Sequence, residues 1–213
     1  MSSIYVFPGQ GAQSVGMGYD LYQTNADARA VFDEADAALG EKLSDIIFNG
    51  PIETLTLTAN VQPAILATSI AMFRAGNYPM PDYVAGHSLG EYTALCAAGA
   101  ISLTDAIKLV RLRGESMQNA VPAGQGAMAV VLGMEYDALK NVCETAEKQT
   151  GEVVDIANDN CPGQIVISGG NRGIEVAMEL AKEGGAKRAM KLPLSVPPHS
   201  RLMAPSLILC KTR

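Results

Sequence analysis

The sequence predicts an α/β fold in two parts, and three features predict it. Short apolar runs of strand length, Ile4-Tyr5-Val6-Phe7 and Tyr83-Val84-Ala85, each break at a glycine-bearing turn and lead into helical segments. Residues 123–192 read strand, helix, strand, strand, helix, strand, the split βαβ succession of a ferredoxin-like subdomain. The chain has 213 residues, 48% of them hydrophobic, without low-complexity tracts or internal repeats, enough to bury a core in one domain or in one domain with an insertion.

The elements follow in order. Ile4 to Phe7 reads as a short buried strand stopped by Pro8-Gly9, and residues 25–39 have helical spacing with alanines and acids on the outer face. Residues 60–74 are apolar almost all round, as a helix packed on a sheet would be, and Tyr83-Val84-Ala85 is a second strand running into Gly86. Small residues dominate 91–99, which suits a tightly packed helix, and 104–118 form another. After Pro122 come a strand at 126–133, a helix at 136–150, strands at 153–157 and 164–168, a helix at 171–183 and a last strand at 188–192.

Composition narrows the function. Sixteen basic against 22 acidic residues give a net charge of −6, with no dense Lys/Arg block and 5% aromatics, which argues against nucleic acid as partner. Cys96, Cys143, Cys161 and Cys210 never approach a CxxC spacing, and the histidines His87 and His199 lie far apart, so neither a disulfide framework nor a metal site is supported. The N-terminus lacks the pattern of a signal peptide and no apolar run reaches bilayer length, so the expected location is cytoplasmic.

The stretch Gly86-His87-Ser88-Leu89-Gly90 places a serine between two glycines at the end of a strand. In a nucleophile elbow the serine sits on a sharp strand-to-helix turn, and glycines at ±2 let strand and helix approach closely. The alternative is a glycine-rich turn with an incidental serine. On the elbow reading, the helix that follows points its first N–H groups at Ser88, and the Leu89 amide is placed to stabilise an oxyanion. Gln10, in the loop Phe7-Pro8-Gly9-Gln10-Gly11 after the first strand, is the candidate second donor, although Pro-Gly pairs are usually plain turns. A base is also needed. His87, the sequence neighbour, would point away from the elbow, which leaves His199.

On the helix 104–118, Arg111 shares a sector with Thr104, Lys108, Glu115 and Gln118, a solvated face on which Glu115 is its i,i+4 partner. Arg113 lies between Ala106, Leu109 and Met117, an apolar neighbourhood. A buried guanidinium requires an anion, either a substrate carboxylate held bidentately or a structural Asp or Glu.

With Pro8-Gly9-Gln10-Gly11, Gln62-Pro63-Ala64, Gly86-His87-Ser88-Leu89-Gly90-Glu91, Arg113-Gly114 and Ser195-Val196-Pro197-Pro198-His199 in this order, the chain resembles the malonyl-coenzyme A:acyl carrier protein transacylases of type II fatty-acid synthesis, from about Ile4 to Pro205. Acyltransferase domains of polyketide synthases share much of the pattern. The resemblance implies malonyl transfer from malonyl-coenzyme A to the phosphopantetheine thiol of an acyl carrier protein, with no cofactor. It implies Ser88 as acylated nucleophile, His199 as general base and acid, Arg113 as clamp for the malonyl carboxylate, Gln62 as a further substrate-binding residue, and the Gln10 and Leu89 amides as oxyanion hole. It also implies an α/β-hydrolase-like large subdomain, here 1–122 with 193–213, and an inserted ferredoxin-like subdomain at 123–192. A serine esterase or thioesterase, or a non-catalytic member of the family, are the competing expectations.

Two departures stand out. Pro198 replaces the small polar residue expected before His199, which alters backbone freedom beside the base. Family members continue well beyond Pro205, and the tail 206–213 does not look like theirs, so the expectation is a C-terminally truncated chain with an incomplete large subdomain, uncovered apolar faces and a poorly held His199. The carrier protein, itself acidic, is expected at the local basic residues Lys182, Lys187, Arg188 and Lys191.

Overall fold

A computed structural model describes residues 2–122, 124–194 and 196–206. Ser195 of the histidine motif and most of the unusual tail, 207–213, therefore lie outside the described residues. The chain divides into two compact units, Met1–Glu115 and Ser116–Arg213.

The first unit is built around two parallel strands, β1 (Ile4–Phe7) and β2 (Tyr83–Gly86), in register from Ile4 against Tyr83 to Phe7 against Gly86. Helices α1 (Tyr19–Thr24), α2 (Ala26–Leu39), α3 (Leu43–Asn49), α4 (Ile52–Thr56) and α5 (Thr58–Ala75) lie between them in sequence, and α6 (Gly90–Ala97) follows, then α7 (Leu103–Ala120), whose last residues from Ser116 on fall in the second unit. Asn25 does not open α2 as a helical residue but caps it, its side chain accepting from the Ala28 amide at 3.0 Å. Ser102 and Asp105 cap α7 reciprocally, the Asp105 amide donating to Ser102 Oγ and that hydroxyl to Asp105 Oδ2. The core gathers Phe7, Val31, Phe32, Leu66, Ile70, Leu89 and Ile107.

The first strand is not buried on both faces as its apolar run suggests. Phe7 is buried and Tyr5 packs edge-on against Phe73, whereas Ile4 is 58% and Val6 72% exposed. Side chains alternate across a strand, and the core covers only one face of this pair.

The second unit holds β3 (Gly126–Leu132), α8 (Tyr136–Thr150), β4 (Val154–Cys161), β5 (Gln164–Gly170), α9 (Asn171–Glu183) and β6 (Arg188–Lys191). The strands form one antiparallel sheet in the order β4-β5-β3-β6, the ferredoxin-like arrangement that the succession of elements predicts. One face is packed by α8 and α9 through Leu139, Cys143, Ile174 and Ala177 against Ala129, Val131, Ile165 and Ile167. β4 runs longer than the sequence suggests because irregularities after Ile156 and Asp159 let the polar stretch to Cys161 stay paired with β5.

Residues 196–206 group with this second unit, where the sequence reading joins 193–213 to 1–122. Val196 and Met203 pack with Met117 and Val121, and Arg201 binds the side chains of Glu147 and Asp155. These contacts are long-range and leave no periodic trace in the sequence.

Candidate active site

β2 ends at Gly86 and α6 begins at Gly90, so His87, Ser88 and Leu89 alone make the turn. Ser88 takes φ 54°, a left-handed conformation that costs free energy for a residue with a side chain and persists only where its surroundings enforce it. The flanking glycines show what enforces it. A Cβ on Gly86 would fall inside the Gly90 carbonyl and one on Gly90 inside the Phe7 carbonyl, so strand and helix touch backbone to backbone. The His87 amide donates to Phe7 O at 3.1 Å and the Gly90 amide to His87 O at 2.9 Å, tying the turn to β1 and to itself. His87 lies against the loop after β1: a Cβ on Gly9 would come within 2.9 Å of its Nδ1. Leu89 stands at the N-cap of α6 with its side chain in the core. In the same loop after β1, the side-chain Nε2 of Gln10 is buried without a hydrogen-bond partner among the described residues.

The other polar residues come from α5 and α7. These helices meet at Gly114, where a Cβ would come within 2.5 Å of Thr58 O and 2.7 Å of Ala59 Cα, so only a glycine lets the backbones approach. The residue before it, Arg113, donates from Nη1 to Oε1 of the fully buried Gln62 at 2.7 Å and from Nη2 to Ser88 Oγ at 3.0 Å. Its guanidinium also lies 5.8 Å from the centroid of the Tyr92 ring. Ser88, Gln62 and Arg113 are thus brought together.

Two expectations about these arginines need correction. Arg113 is half-buried among Gln62, Ser88 and Tyr92 rather than in apolar surroundings, and Leu109 is itself 44% exposed. Arg111 is not on a solvated face: its side chain is 14% exposed and binds Glu41 and, at 2.7 Å, Asn60 Oδ1. Helical spacing locates neighbours along α7 but not the elements packed across it.

His199 belongs to the second unit, exposed and at φ 59°. Its turn is staked on both sides. Pro197 is buried against Gly126, where a Cβ would collide with the proline ring, and Ser200 Oγ donates to Pro197 O at 2.8 Å. On the other side the Arg201 amide donates to Asp155 Oδ2 at 2.7 Å, its Nε to Asp155 Oδ1 at 2.9 Å and its Nη2 to Glu147 Oε2 at 2.5 Å. These anchors hold the backbone on either side of His199. His199, Arg201, Glu147 and Asp155 line a cavity of about 610 Å³ with Tyr136 and Lys140. Hydrogen bonds from Arg201 and from the Val154 amide hold the Glu147 carboxyl below the usual range, and Glu147 in turn raises the Arg201 guanidinium.

The expected basic patch splits. Lys182, Lys187 and Arg188 are exposed around the end of α9 and the start of β6, whereas Lys191 Nζ donates to Asn171 at the opposite end of α9. Eleven residues of helical rise separate Asn171 from Lys182, about 16 Å.

The sequence reading missed Tyr92, Gly126, Glu147, Asp155 and Arg201. Tyr92 was accessible, since it lies in the first turn of α6, just after Ser88. Asp155 was not, because 46 positions separate it from Arg201. Among the described residues no group of His, Cys, Asp and Glu could hold a metal ion, and no helix is long and apolar enough to cross a membrane.

Known proteins resemble the chain in sequence and in structure. The acyl transferase domain family matches residues 4–207. The malonyl CoA-acyl carrier protein transacylase of Bacillus subtilis is 56% identical over 97% of the chain, which spans 66% of that protein's length. Among solved structures, the acyl-carrier-protein S-malonyltransferase of Bartonella henselae superposes with a TM-score of 0.92 at 49% identity, covering 98% of this chain and 68% of that one. A malonyl-transacylase in complex with its type II polyketide acyl-carrier protein gives 0.93 at 42% identity, covering 99% and 68%.

Proposed function

The chain belongs to the acyl transferase domain family, and from that membership we propose that it carries a malonyl group from malonyl-coenzyme A to the phosphopantetheine thiol of an acyl carrier protein through a malonyl-serine at Ser88. The observation that carries this reading is the pair of hydrogen bonds by which Arg113 reaches Ser88 Oγ and Gln62 Oε1. A hydrolytic elbow needs no cation beside its nucleophile, whereas an acyl group ending in a carboxylate does.

In the first half-reaction Ser88 Oγ attacks the thioester carbonyl and its proton passes to His199. The Leu89 and Gln10 amides stabilise the oxyanion, and coenzyme A leaves as its thiol with the proton from His199. In the second, the carrier thiol gives its proton to His199 and attacks the malonyl-serine, and the same proton returns to Ser88. Arg113 holds the malonyl carboxylate throughout, and Gln62 orients Arg113. No metal or cofactor takes part beyond the coenzyme A of the substrate, and the reaction fits a cytoplasmic protein. Residues 123–192 serve as the inserted subdomain, and residues 196–206, which pack with the second unit, carry His199.

A fatty-acid carrier protein is the acceptor in the first reading. A polyketide carrier is the second, favoured by the similarity to a malonyl-transacylase in complex with a polyketide carrier protein. The test is intact-mass measurement after mixing the protein with malonyl-coenzyme A. A malonyl adduct that maps to Ser88, is absent from Ser88→Ala and is discharged by holo carrier protein is the expected result. Release of free malonate without a thiol acceptor would instead support a thioesterase.

A further inference from the structure

We propose that Arg201 is a positioning residue: by clamping the chain two residues after His199 onto Asp155 and Glu147, it holds the histidine turn in the conformation that acyl transfer requires. This rests on the malonyl-transfer reading above.

The turn needs holding. His199 is an exposed non-glycine residue at φ 59°, between two buried prolines and a short 3-10 turn at Arg201–Met203. Such a conformation relaxes unless the residues on both sides are fixed. On the N-terminal side the fixing is steric, through Pro197 seated on Gly126 at the start of β3. On the C-terminal side it is polar. Both oxygens of the Asp155 carboxylate are taken by one residue, Oδ2 by the Arg201 backbone amide at 2.7 Å and Oδ1 by Nε at 2.9 Å. A carboxylate held by backbone and side chain of the same residue fixes that residue's position and rotation together, which a single ion pair does not. Nη2 then reaches Glu147 on α8, so the clamp is braced by a second element.

The register of the sheet places both anchors at one end. Gly126 pairs with Gly170, and Asp155 pairs with Ser168, so the two attachment points lie across the neighbouring strands β3, β5 and β4. The turn carrying His199 bridges a rigid sheet end, and the Ser200 Oγ bond to Pro197 O closes it from within. The Arg201 side chain is 60% exposed, so its ion pairs add little to global stability. Their geometric effect is on the backbone beside the histidine.

The test uses Arg201→Ala and Arg201→Lys in the full chain with two readouts, malonyl-transfer kinetics and the imidazole resonances of ring-labelled histidine. Only two histidines are present, so His199→Gln assigns the spectrum. Displacement of a catalytic base by about 1 Å lowers turnover up to about 100-fold. Arg201→Ala is therefore expected to lower kcat by about 10- to 100-fold with KM for malonyl-coenzyme A nearly unchanged, and to shift or broaden the His199 resonance while His87 stays in place. Arg201→Lys, which keeps the backbone bond and one ion pair, recovers most of both. Wild-type kcat and an unmoved His199 resonance in Arg201→Ala overturn the proposal, as does a fall in activity that tracks melting temperature with the resonance unmoved. If Arg201→Ala does not fold, Asp155→Asn decides by the same readouts, with wild-type values again overturning it. Should the wild-type protein form no malonyl adduct, the transfer reading fails while the resonance readout still decides whether Arg201 holds His199.

Discussion

Arg113 donates to Ser88 Oγ at 3.0 Å with one guanidinium nitrogen while the other donates to Gln62 Oε1 at 2.7 Å. Both of these acceptors are neutral, and one of them is the oxygen proposed to be acylated. On the proposed reading, a malonyl group on that oxygen brings a carboxylate a few bonds further along, so that a neutral hydrogen bond is exchanged for a charge-assisted pair with Arg113. An acetyl group offers no such exchange and leaves a half-buried guanidinium with one acceptor fewer.

Arg113→Ala is accordingly expected to lower kcat/KM for malonyl transfer by about 2–5 kcal/mol in transition-state terms and to leave acetyl transfer unchanged or improved. Parallel kinetics with malonyl- and acetyl-coenzyme A check it. Equal losses for both acyl groups contradict a specificity role.

Gln62→Leu tests the orienting acceptor. Gln62 is fully buried, so a leucine keeps the volume but withdraws the partner of a charged donor, a loss of about 1–3 kcal/mol. Malonyl transfer should fall roughly tenfold, less than in Arg113→Ala, with acetyl transfer spared. A malonyl rate equal to wild type would show that Arg113 needs no such support.

Local chemistry was legible in the sequence and long-range chemistry was not. Ser88 between glycines declares an elbow because the requirement is local: a strand and a helix can touch only where no Cβ intervenes. The ferredoxin-like unit was legible because α8 and α9 keep the helical period and the strands keep theirs. What escaped depends on partners distant in sequence. Arg111 looked solvated because Glu41 and Asn60, on other elements, cannot be read from the spacing of α7. Ile4 and Val6 looked buried because an apolar tetrapeptide does not say how many of its faces are covered. The Arg201 clamp joins residues 46 and 54 positions apart, with no pattern linking them.

The elbow glycines should tolerate no side chain. A Cβ on Gly86 meets the Gly90 backbone rather than a movable side chain, so Gly86→Ala must push α6 off β2. Overpacking of this kind costs about 1–3 kcal/mol or more, and here it also displaces Ser88. Thermal denaturation should show the loss, and acylation by malonyl-coenzyme A should fall further than stability alone explains. A variant with wild-type melting and wild-type adduct formation would contradict the close approach.

Carrier docking at the basic residues of the second unit predicts an asymmetry. Lys187→Glu with Arg188→Glu should slow transfer to the acidic carrier protein, increasingly so at low salt, while sparing acylation by malonyl-coenzyme A. Lys191→Glu should have the smaller effect, because that lysine sits at the far end of α9 and already engages Asn171. Second-order rates at two ionic strengths check this, and equal effects at the two ends would move the docking surface elsewhere.

The Glu147 to Arg201 pair gives the stability a signed pH dependence. Arg201 first, and the Val154 amide second, hold the folded-state carboxyl of Glu147 below its ordinary value. A carboxyl lowered on folding contributes stability that is fully present above its unfolded pKa of about 4.3 and is lost as pH falls through the lower folded value. The contribution is small, since the Arg201 side chain is 60% exposed, and salt screens it further. Glu147→Gln should therefore melt slightly below wild type at neutral pH and low salt, and the two curves should converge as pH drops below the carboxylate range. A gap that widens on acidification would reverse the sign and place the stabilising charge on another group around the cavity, with Lys140, Glu144, Lys148 and Asp155 the residues to vary next.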